Sequence, residues 1–516
     1  MKKISSALLS MLMTGSLVLG LAGTGILAPS AAEASDAEEK ILYVAEDFSY
    51  ASLDPHKEYY GWMTSLYGLS ETLFKMGDDS SVEPWLASDA ALSDDGLTWT
   101  ITLAEGAAFS NGEPVTAEMV IRNLQRAAEV NARFAYLAEY EMEAVDEQTL
   151  TITTPSVYPT MQNDLASPEL AILDLDNTTD YDHAPIATGP FVVDTFEPEG
   201  TVTVAKNENY WGGEVKLDGA VFYYMQDDNT KLAAMQSGEL DCYTSVTAAA
   251  VEIYSLDPDT YQLTVIPATR LQFYILNENT LSDNVRAAIN LTVDAETIAA
   301  YLNGTVSATD GPFSSSTAYG QVEKAAVDTD AAKALLEEDG YVQNENGFYE
   351  KDGEELSLNL YYYASRSLDT LAILMQEQLK NIGVNVELYA EEDPDATYIA
   401  SGDFDIALYC MISDKAGDPY YFIDSTLRDG AALNCGGFES EECESLIDEL
   451  QYETDTDRRA ELANEIVQMA IDDNAFGYVG LFNKTTVMRV GVSGFTETSP
   501  FDFYAIDADT DKAISE

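Results

Sequence analysis

The stretch LSLNLYYYASRSLDTLAILMQEQLKNIGVNVELY, residues 356–389, decides the fold class. Alternating apolar residues at its two ends predict strands over residues 356–363 and 384–389, and residues 368–380 between them have the apolar periodicity of a helix. Gly383 stands where a helix C-terminus favours a residue without Cβ. A strand, a helix and a strand at this spacing form a βαβ unit, whose right-handed crossover makes the two strands parallel. The stretch therefore predicts an α/β fold, which residues 404–410 continue with a further strand.

The same mixture of strands and helices continues along the rest of the chain. A helix is predicted over residues 115–130 with Thr116 as its N-cap, and further helices begin at Asp328 and at Thr456. No low-complexity linker separates the two halves, so we expect two lobes joined by strands rather than by a flexible tether. Additional strands are predicted over residues 41–45, 98–103, 149–153, 202–206, 220–225 and 271–276.

The net charge of the chain argues against some classes of binding partner. The 516 residues include 91 Asp and Glu against 25 Lys and Arg, which gives a formal net charge of -66. This surplus repels nucleic acid phosphates and anionic membrane surfaces, so no nucleic acid partner is predicted. The acidic residues are spread along the whole chain, and we interpret them as a solvated surface.

The N-terminus is typical of a secretion signal. A positively charged start is followed by an apolar stretch and by Ala32-Glu33-Ala34, which has the small residues of a cleavage site. Residues 1–34 are therefore predicted to be a signal peptide, and the mature chain an extracellular or cell-surface protein. In LAGT, residues 21–24, Thr24 stands where a lipoprotein carries its acylated cysteine, so no lipid anchor is expected.

The chain lacks the residue patterns of common catalytic sites. It has two histidines, no Gly-x-Ser-x-Gly elbow and no glycine-rich phosphate loop, so neither nucleophilic catalysis nor nucleotide binding is predicted. Of the four cysteines, Cys435 and Cys443 could close a short loop, and no Cys-x-x-Cys pair indicates a zinc site. Neighbouring carboxylates have no diagnostic value among 91 acidic residues. A secreted hydrolase that uses acidic residues stays open as an alternative function.

A series of short motifs runs along the chain. It begins with LDPH (53–56), WLA (85–87), DGLTW (95–99) and FSNGEPVTAE (109–118), and continues with ATGPF (187–191), NENYWG (207–212), GELD (238–241), VRAAIN (285–290) and GDP (417–419). In this order the motifs resemble those of family 5 of the extracellular solute-binding proteins, the peptide- and nickel-binding receptors of ABC importers.

The resemblance implies a two-lobed α/β fold like that of periplasmic binding proteins, of type II and of the large peptide-binding class. It also implies a hinge and an extra subdomain in the first lobe. The first lobe is expected to combine residues 35–72, 185–268 and 485–516, with the extra subdomain at 73–184 and the second lobe at 269–484. A solute that contacts both lobes would then shift the population toward the closed form.

The nickel-binding members of the family imply one set of ligand-binding residues. Arg133 would pair with a carboxylate of the chelator, Tyr136 would stack against the chelator, and Met63 would line the pocket. This chain has no histidine near residues 427–434 and no second arginine near residues 167–168, where those members have them. A metal is therefore expected only as part of a bound chelate, with no cofactor and no metal-ligating residue of the protein itself.

The dipeptide-binding members imply a different set of residues. Asp414 would bind the amine of the ligand and Arg366 its carboxylate, and these opposite charges would fix the length and direction of a zwitterionic peptide. Trp62 and Tyr420 would form apolar walls of the pocket.

These expectations predict the substrate-binding component of an ABC importer, which captures short peptides or a nickel chelate and delivers the ligand to a permease. The permease and the ATPase would be separate chains, and the receptor itself would be a monomer and not an enzyme. A peptide-sensing receptor without its own permease is the second open alternative, beside the hydrolase.

Overall fold

The structure is a computed structural model, and it describes residues 39–495, 500–501 and 503–513. The predicted signal peptide and the LAGT stretch lie outside the described residues. Within these ranges, no helix combines the length and the apolar composition that crossing a membrane requires.

The described residues form 22 strands and 13 α-helices. The strands are β1 Ile41–Glu46, β2 Phe74–Met76, β3 Val82–Pro84, β4 Ala87–Leu92, β5 Thr98–Leu103, β6 Glu141–Ala144, β7 Thr149–Thr153, β8 Phe191–Phe196, β9 Val202–Lys206, β10 Gly219–Tyr224, β11 Cys242–Thr244, β12 Tyr261–Leu276, β13 Val306–Ala308, β14 Val342–Gln343, β15 Tyr349–Lys351, β16 Glu354–Glu355, β17 Ser357–Tyr363, β18 Asn385–Glu391, β19 Ile406–Ile412, β20 Phe476–Arg489, β21 Val492–Ser493 and β22 Asp511–Lys512. The helices are α1 Tyr60–Leu66, α2 Ala117–Val130, α3 Met161–Asp164, α4 Asp228–Ser237, α5 Ala248–Ser255, α6 Asp283–Asn290, α7 Ala295–Tyr301, α8 Thr329–Glu338, α9 Leu368–Ile382, α10 Tyr398–Ser401, α11 Tyr420–Thr426, α12 Glu441–Tyr452 and α13 Thr456–Asp472.

The βαβ unit predicted from residues 356–389 is confirmed. Strands β17 and β18 are parallel, with Ser357 opposite Asn385, and α9 connects them. Gly383 ends α9 with a φ of 93°, a left-handed conformation that glycine adopts without steric cost. Helix α9 buries Leu371, Met375 and neighbouring apolar side chains against the sheet. β19 joins the other side of β17, also in parallel.

The strands of the two halves of the molecule form one continuous sheet. Its order is β18-β17-β19-β12-β20-β11-β1-β10-β9-β8, with β13 paired to β20. We call the half that contains β1 and β8–β11 lobe I, and the half that contains β17–β19 lobe II. The part formed by β2–β7 and α2–α3 is called the subdomain, and it has a core of its own. The residue boundaries predicted for the lobes stay a prediction.

Two long strands connect lobe I to lobe II. β12 and β20 are antiparallel over most of their length, from Tyr261 opposite Arg489 to Ile275 opposite Phe476. The pairing is interrupted between Pro267 and Leu271, so that three residues of β12 lie opposite one residue of β20. This interruption, which we call the hinge bulge, lies where the chain passes from one lobe to the other. The sequence predicted only residues 271–276 of β12, because Pro267 breaks the apolar alternation of the strand.

The subdomain is a four-stranded antiparallel sheet, in the order β4-β5-β7-β6, covered by α2. Thr116 caps α2 as predicted, since its hydroxyl accepts a hydrogen bond from the backbone N–H of Met119. The apolar face of α2 buries Val120, Leu124 and Ala127. β5 and β7 occupy the residues predicted for them, 98–103 and 149–153.

The LDPH motif forms a buried polar connection between lobe I and the subdomain. The guanidinium of Arg126 on α2 donates to both carboxylate oxygens of Asp54, at 2.9 and 2.6 Å. Its Nη1 also lies 2.7 Å from Nδ1 of His56, and Nε2 of that imidazole lies 2.9 Å from the carbonyl oxygen of Ala171. Burial lowers the pKa of His56 to about 4, and the positive charge of Arg126 acts in the same direction. The imidazole is therefore neutral at physiological pH.

The NENYWG motif surrounds a buried acid. Glu71 is fully buried and accepts hydrogen bonds from the hydroxyl of Tyr210, at 2.7 Å, and from the indole N–H of Trp211, at 2.8 Å. Burial raises the pKa of Glu71 to about 7, although these hydrogen bonds lower it in part.

Glu71 makes a specific contribution to the pH dependence of stability. Because its pKa in the folded protein is about 7 and its ordinary value is 4.5, the folded state binds a proton that the unfolded state releases. This contribution to the free energy of unfolding is complete below pH 4.5 and is lost as the pH rises through about 7, a decrease of about 3 kcal/mol. Urea unfolding at pH 5 and pH 8 should show that Glu71→Gln is less sensitive to pH than the wild type by this amount. An equal decrease in both proteins would contradict the prediction.

All four cysteines are free thiols. Cys443 is buried in the core of lobe II, and Cys435 is half-buried and packs against the same core. Burial raises the pKa of Cys435 to about 11 and that of Cys443 to about 12. The loop that these two residues could close is therefore not closed in this structure.

Candidate functional site

One cavity is lined by residues of both lobes. It has a volume of about 210 Å³ and lies at the hinge bulge. Cavities of about 470 and 440 Å³ also occur, but residues of lobe II and the crossing strands line the first, and residues of lobe I and the subdomain line the second. A solute that closes two lobes must contact both, so we take the cavity of about 210 Å³ as the candidate site. It is lined by Glu46, Asp47, Phe48, Trp62, Leu66, Thr244, Ser245, Ala268, Arg270, Arg366, Phe482, Asn483 and Lys484.

The wall from lobe I is aromatic. Trp62 on α1 packs against Phe48, with the ring centroids 5.3 Å apart, and against Tyr50, with the ring centroids 6.4 Å apart. Phe48 lies two residues after the end of β1, and it is 52% exposed although it is apolar. The wall therefore offers apolar area to a solute in the cavity.

The same wall carries two carboxylates at the end of β1. Glu46 is buried, while Asp47 forms an ion pair of 2.6 Å with Lys231. Lys231 is itself buried and lies 2.9 Å from Asp228, so the charge of Asp47 is largely balanced within lobe I.

The wall from lobe II is basic. Arg366 lies in the loop between β17 and α9, where it and Ser367 have positive φ values of 54° and 56°. Two consecutive left-handed residues other than glycine are costly, and such strain is typical of functional sites. The carbonyl oxygen of Arg366 accepts a hydrogen bond of 2.6 Å from the side-chain amide of Gln272, which is fully buried on β12. This bond holds the strained loop against the crossing strand.

The arginines of this wall differ from the other arginines of the chain. Among the described residues, seven of the ten arginines form ion pairs with Asp or Glu, and Arg489 donates to a backbone carbonyl and lies over the ring of Tyr261. In the part of the chain that the structure describes, neither Arg270 nor Arg366 has a carboxylate partner. Arg270 contacts the thiol of Cys410 instead. Two arginines without a counter-ion in so acidic a protein indicate a site for an anionic group of a ligand.

Two of the residues predicted to bind the ligand line the cavity, namely Arg366 and Trp62. Arg133, predicted from the nickel-binding members, lies elsewhere. Its guanidinium forms an ion pair of 2.9 Å with Glu169 and lies 4.3 Å from the ring centroid of Tyr59. Arg133 therefore already has a carboxylate partner within the subdomain.

Tyr136 and Met63 do not line the cavity either. The hydroxyl of Tyr136 donates to Asp164, at 2.8 Å, and that carboxylate also accepts a bond of 2.5 Å from Tyr158. Met63 is 1% exposed and packs in the core of lobe I. The core of lobe I encloses the side chain of Met63, and its predicted role in ligand binding stays a prediction.

Asp414 and Tyr420 also lie outside the cavity. Asp414 is 4% exposed and accepts hydrogen bonds of 2.6 Å from the hydroxyl of Tyr319 and from the backbone N–H of Gly417. Burial raises its pKa to about 6. The hydroxyl of Tyr420 donates to Asp424, at 2.9 Å. The structure therefore does not bring Asp414 and Arg366 into one pocket.

The segment that begins at Asp414 instead contacts the subdomain. The side-chain amide of Asn163 donates to the carbonyl oxygen of Ala416, at 2.7 Å. Gly417 packs so closely against Ser80 and Met76 that a Cβ at this position would overlap both residues. We call this contact between residues 414–417 and the subdomain the seam.

Comparison with known proteins places the chain in a family. Residues 81–434 match the family described as bacterial extracellular solute-binding proteins, family 5 Middle. The chain belongs to this family. Family 5 consists of solute-binding proteins, and the two-lobed α/β fold predicted from the motifs is confirmed.

This family 5 protein is similar to receptors with different ligands. It is 25% identical over 448 residues to the nickel-binding protein NikA of Staphylococcus aureus, with 85% of this chain and 88% of the relative covered. It is 26% identical over 505 residues to the dipeptide-binding protein DppE of Bacillus subtilis, with 90% of each chain covered. The crystal structure of a nickel ABC transporter protein from Bacillus halodurans superimposes with a TM-score of 0.85 at 28% identity, and the match covers 92% of this chain and 100% of the other.

Proposed function

We propose that this protein is the solute receptor of an ABC importer and that it captures a small, carboxylate-bearing solute in the cavity between its lobes. The observation that carries the proposal is the pair of arginines, Arg270 and Arg366, which line this cavity without a carboxylate partner. An arginine binds a carboxylate through two parallel hydrogen bonds, which gives both free energy and orientation.

The dimensions and charges of the cavity favour a short peptide. Its volume of about 210 Å³ is below the range of about 300–1,000 Å³ that is usual for drug-sized ligands, which favours a small solute. The arginines lie on the wall from lobe II, and Glu46 lies on the wall from lobe I. Opposite charges on facing walls suit a zwitterion, and the rings of Phe48 and Trp62 suit an apolar side chain between its ends.

A metal chelate is the second candidate, and similarity to NikA of Staphylococcus aureus favours it. A chelator with carboxylates would bind the same two arginines. In the described ranges no three His, Cys, Asp or Glu side chains are grouped so that they could hold a metal ion. This candidate therefore requires that the chelator supply the metal ligands, and no cofactor of the protein itself is proposed.

The remaining parts of the proposal follow from the family and from the sequence. The receptor acts as an extracellular or cell-surface monomer after removal of residues 1–34, and it delivers the solute to a permease that a separate ATPase drives. It is not an enzyme, so prolonged incubation with peptides or glycans should yield no cleavage product. Cleavage would favour the acidic hydrolase. Unchanged uptake and signalling after deletion of the permease would favour a sensing receptor.

The solute can be identified directly. We expect native mass spectrometry of the protein purified from its own medium, with metal analysis in parallel, to show a bound solute that carries a carboxylate. Arg366→Ala should lose this solute because the variant removes one of the two partners of the carboxylate. Arg133→Ala is the matched control, since Arg133 is paired with Glu169 outside the cavity and should keep the solute. The opposite pattern would reject the cavity and favour the set of residues predicted from the nickel-binding members.

A further inference from the structure

Arg270 has an unusual position on the crossing strand β12. It is the last of the three residues that the hinge bulge places opposite one residue of β20. Beyond Pro267 the strand leaves its pairing with the lobe I end of β20, and from Arg270 onward it pairs with β19 of lobe II. The bulge therefore presents the side chain of Arg270 to the cavity at the point where the two lobes meet.

The same strand also positions Arg366. Gln272, two residues after Arg270, holds the carbonyl oxygen of Arg366 through its side-chain amide at 2.6 Å. The side chain of Gln272 is fully buried, and the bond itself is partly buried. The segment of β12 from Arg270 to Gln272 therefore carries the guanidinium of Arg270 and also holds the loop that contains Arg366.

The guanidinium groups of Arg270 and Arg366 influence the same two side chains, Cys410 and Tyr363. Burial raises the pKa of the Cys410 thiol, and the positive charges of Arg270 and Arg366 both oppose this shift. Both arginines also lie near the hydroxyl of Tyr363. Two like charges held in one partly buried place repel each other, and an anion between them removes this repulsion and gains hydrogen bonds from both.

We propose that Arg270 binds the anionic group of the solute together with Arg366, and that through the hinge bulge it links this binding to closure of the lobes. The inference rests on the function proposed above and adds a residue and a role to it. When the anion fixes Arg270, it fixes the bulge, one of the two places where the pairing of β12 with β20 is interrupted between the lobes. The aromatic wall of lobe I then closes on a solute that is already held at the hinge.

The test compares probes with and without a carboxylate. The protein is unfolded and refolded to release any bound solute, and it is then titrated with the dipeptide alanyl-phenylalanine, with the C-terminal amide of this dipeptide and with Ni(II) bis-L-histidine. Calorimetry measures the affinity, and small-angle X-ray scattering measures the radius of gyration with and without each probe. The wild type should bind at least one carboxylate probe and contract, and it should bind the dipeptide more tightly than its amide.

Arg270→Ala should weaken binding of the carboxylate probe by about tenfold or more. At saturating probe it should also contract less than the wild type, which a mere loss of affinity would not cause. Arg270→Lys keeps the positive charge but lacks the planar guanidinium that can donate two parallel hydrogen bonds. This variant should recover part of the affinity and part of the contraction. Arg270→Gln removes the charge but keeps a polar side chain with an N–H donor, and the melting temperature of this variant shows whether a loss of binding reflects the site or the fold.

Two results would overturn the inference in different ways. If Arg270→Ala and Arg270→Gln bind and contract like the wild type while Arg366→Ala loses affinity, Arg270 has no such role and the proposed function stands. If the protein purified from its own medium contains no carboxylate-bearing solute and the wild type binds neither the dipeptide nor the nickel complex, the proposed function fails and the inference fails with it.

Discussion

Replacing Arg126 by alanine should lower the free energy of unfolding by about 3–5 kcal/mol. The carboxylate of Asp54 is fully buried, and Arg126 supplies both of its short hydrogen bonds from a cationic group. Lys57 also lies 3.7 Å from this carboxylate, but its amine forms an ion pair of 2.7 Å with Asp182. Lys57 therefore cannot replace the two hydrogen bonds that Arg126 donates to Asp54. The variant therefore leaves a buried charge without its partner. Urea unfolding at pH 7 measures the loss.

Arg122→Ala is the matched control for this prediction. Arg122 lies one turn earlier on α2 and also forms an ion pair, with Asp176 at 2.7 Å, but both side chains are largely exposed. Solvent screens such a pair, so its removal should cost less than about 1 kcal/mol. Equal losses in the two variants would show that the LDPH motif does not stabilise the contact between lobe I and the subdomain.

Replacing Gly417 by alanine should weaken solute binding by about tenfold or more. Gly417 has a φ of 70°, and a Cβ there would overlap the carbonyl oxygen of Ser80 and the methyl group of Met76. Overpacking of this kind costs about 1–3 kcal/mol, and because the two sides of the seam belong to lobe II and the subdomain, they can relieve it by moving apart. Each 1.4 kcal/mol lost from the arrangement in which both lobes line the cavity corresponds to about a tenfold loss of affinity. Calorimetry with the solute identified by mass spectrometry measures the change.

Gly430→Ala is the control that separates the effect of overpacking at the seam from the effect of backbone strain. Gly430 also lies in lobe II and has a similar φ of 73°, but a Cβ at this position would meet no atom within 4 Å. Gly430→Ala should destabilise the fold as much as Gly417→Ala, because alanine is strained in the left-handed backbone conformation at both positions. Gly430→Ala should leave solute binding unchanged. Identical affinities for the two variants would contradict a role of the seam in closure.

Local signals in the sequence were sufficient for much of the fold. The βαβ unit around α9 and the capped helix α2 depend on apolar periodicity and on end residues that act within a few positions. The crossing strands were largely missed because their pairing joins residues more than 200 positions apart, such as Tyr261 and Arg489. No local pattern specifies that partnership.

The candidate site was predicted in part for the same reason. Arg366 and Trp62 were found through the family resemblance, and both line the cavity. Arg270 was missed, although the break that Pro267 makes in an alternating strand could have indicated a bulge near it. Asp414 carries the expected charge, but Tyr319 and Gly417 already bind it. A sequence gives the type of a side chain, whereas its partners depend on the packing of distant segments.

The two crossing strands also bear on the entropy of solute capture. A flexible tether would let the lobes adopt many relative orientations, and closing them would lose this freedom at the expense of affinity. Two paired strands whose register shifts at two nearby positions, between Pro267 and Leu271 and between Gln272 and Phe273, leave little relative motion besides bending and twisting in this short region. The open receptor therefore has few configurations to give up, and more of the free energy of the solute's contacts is available as affinity.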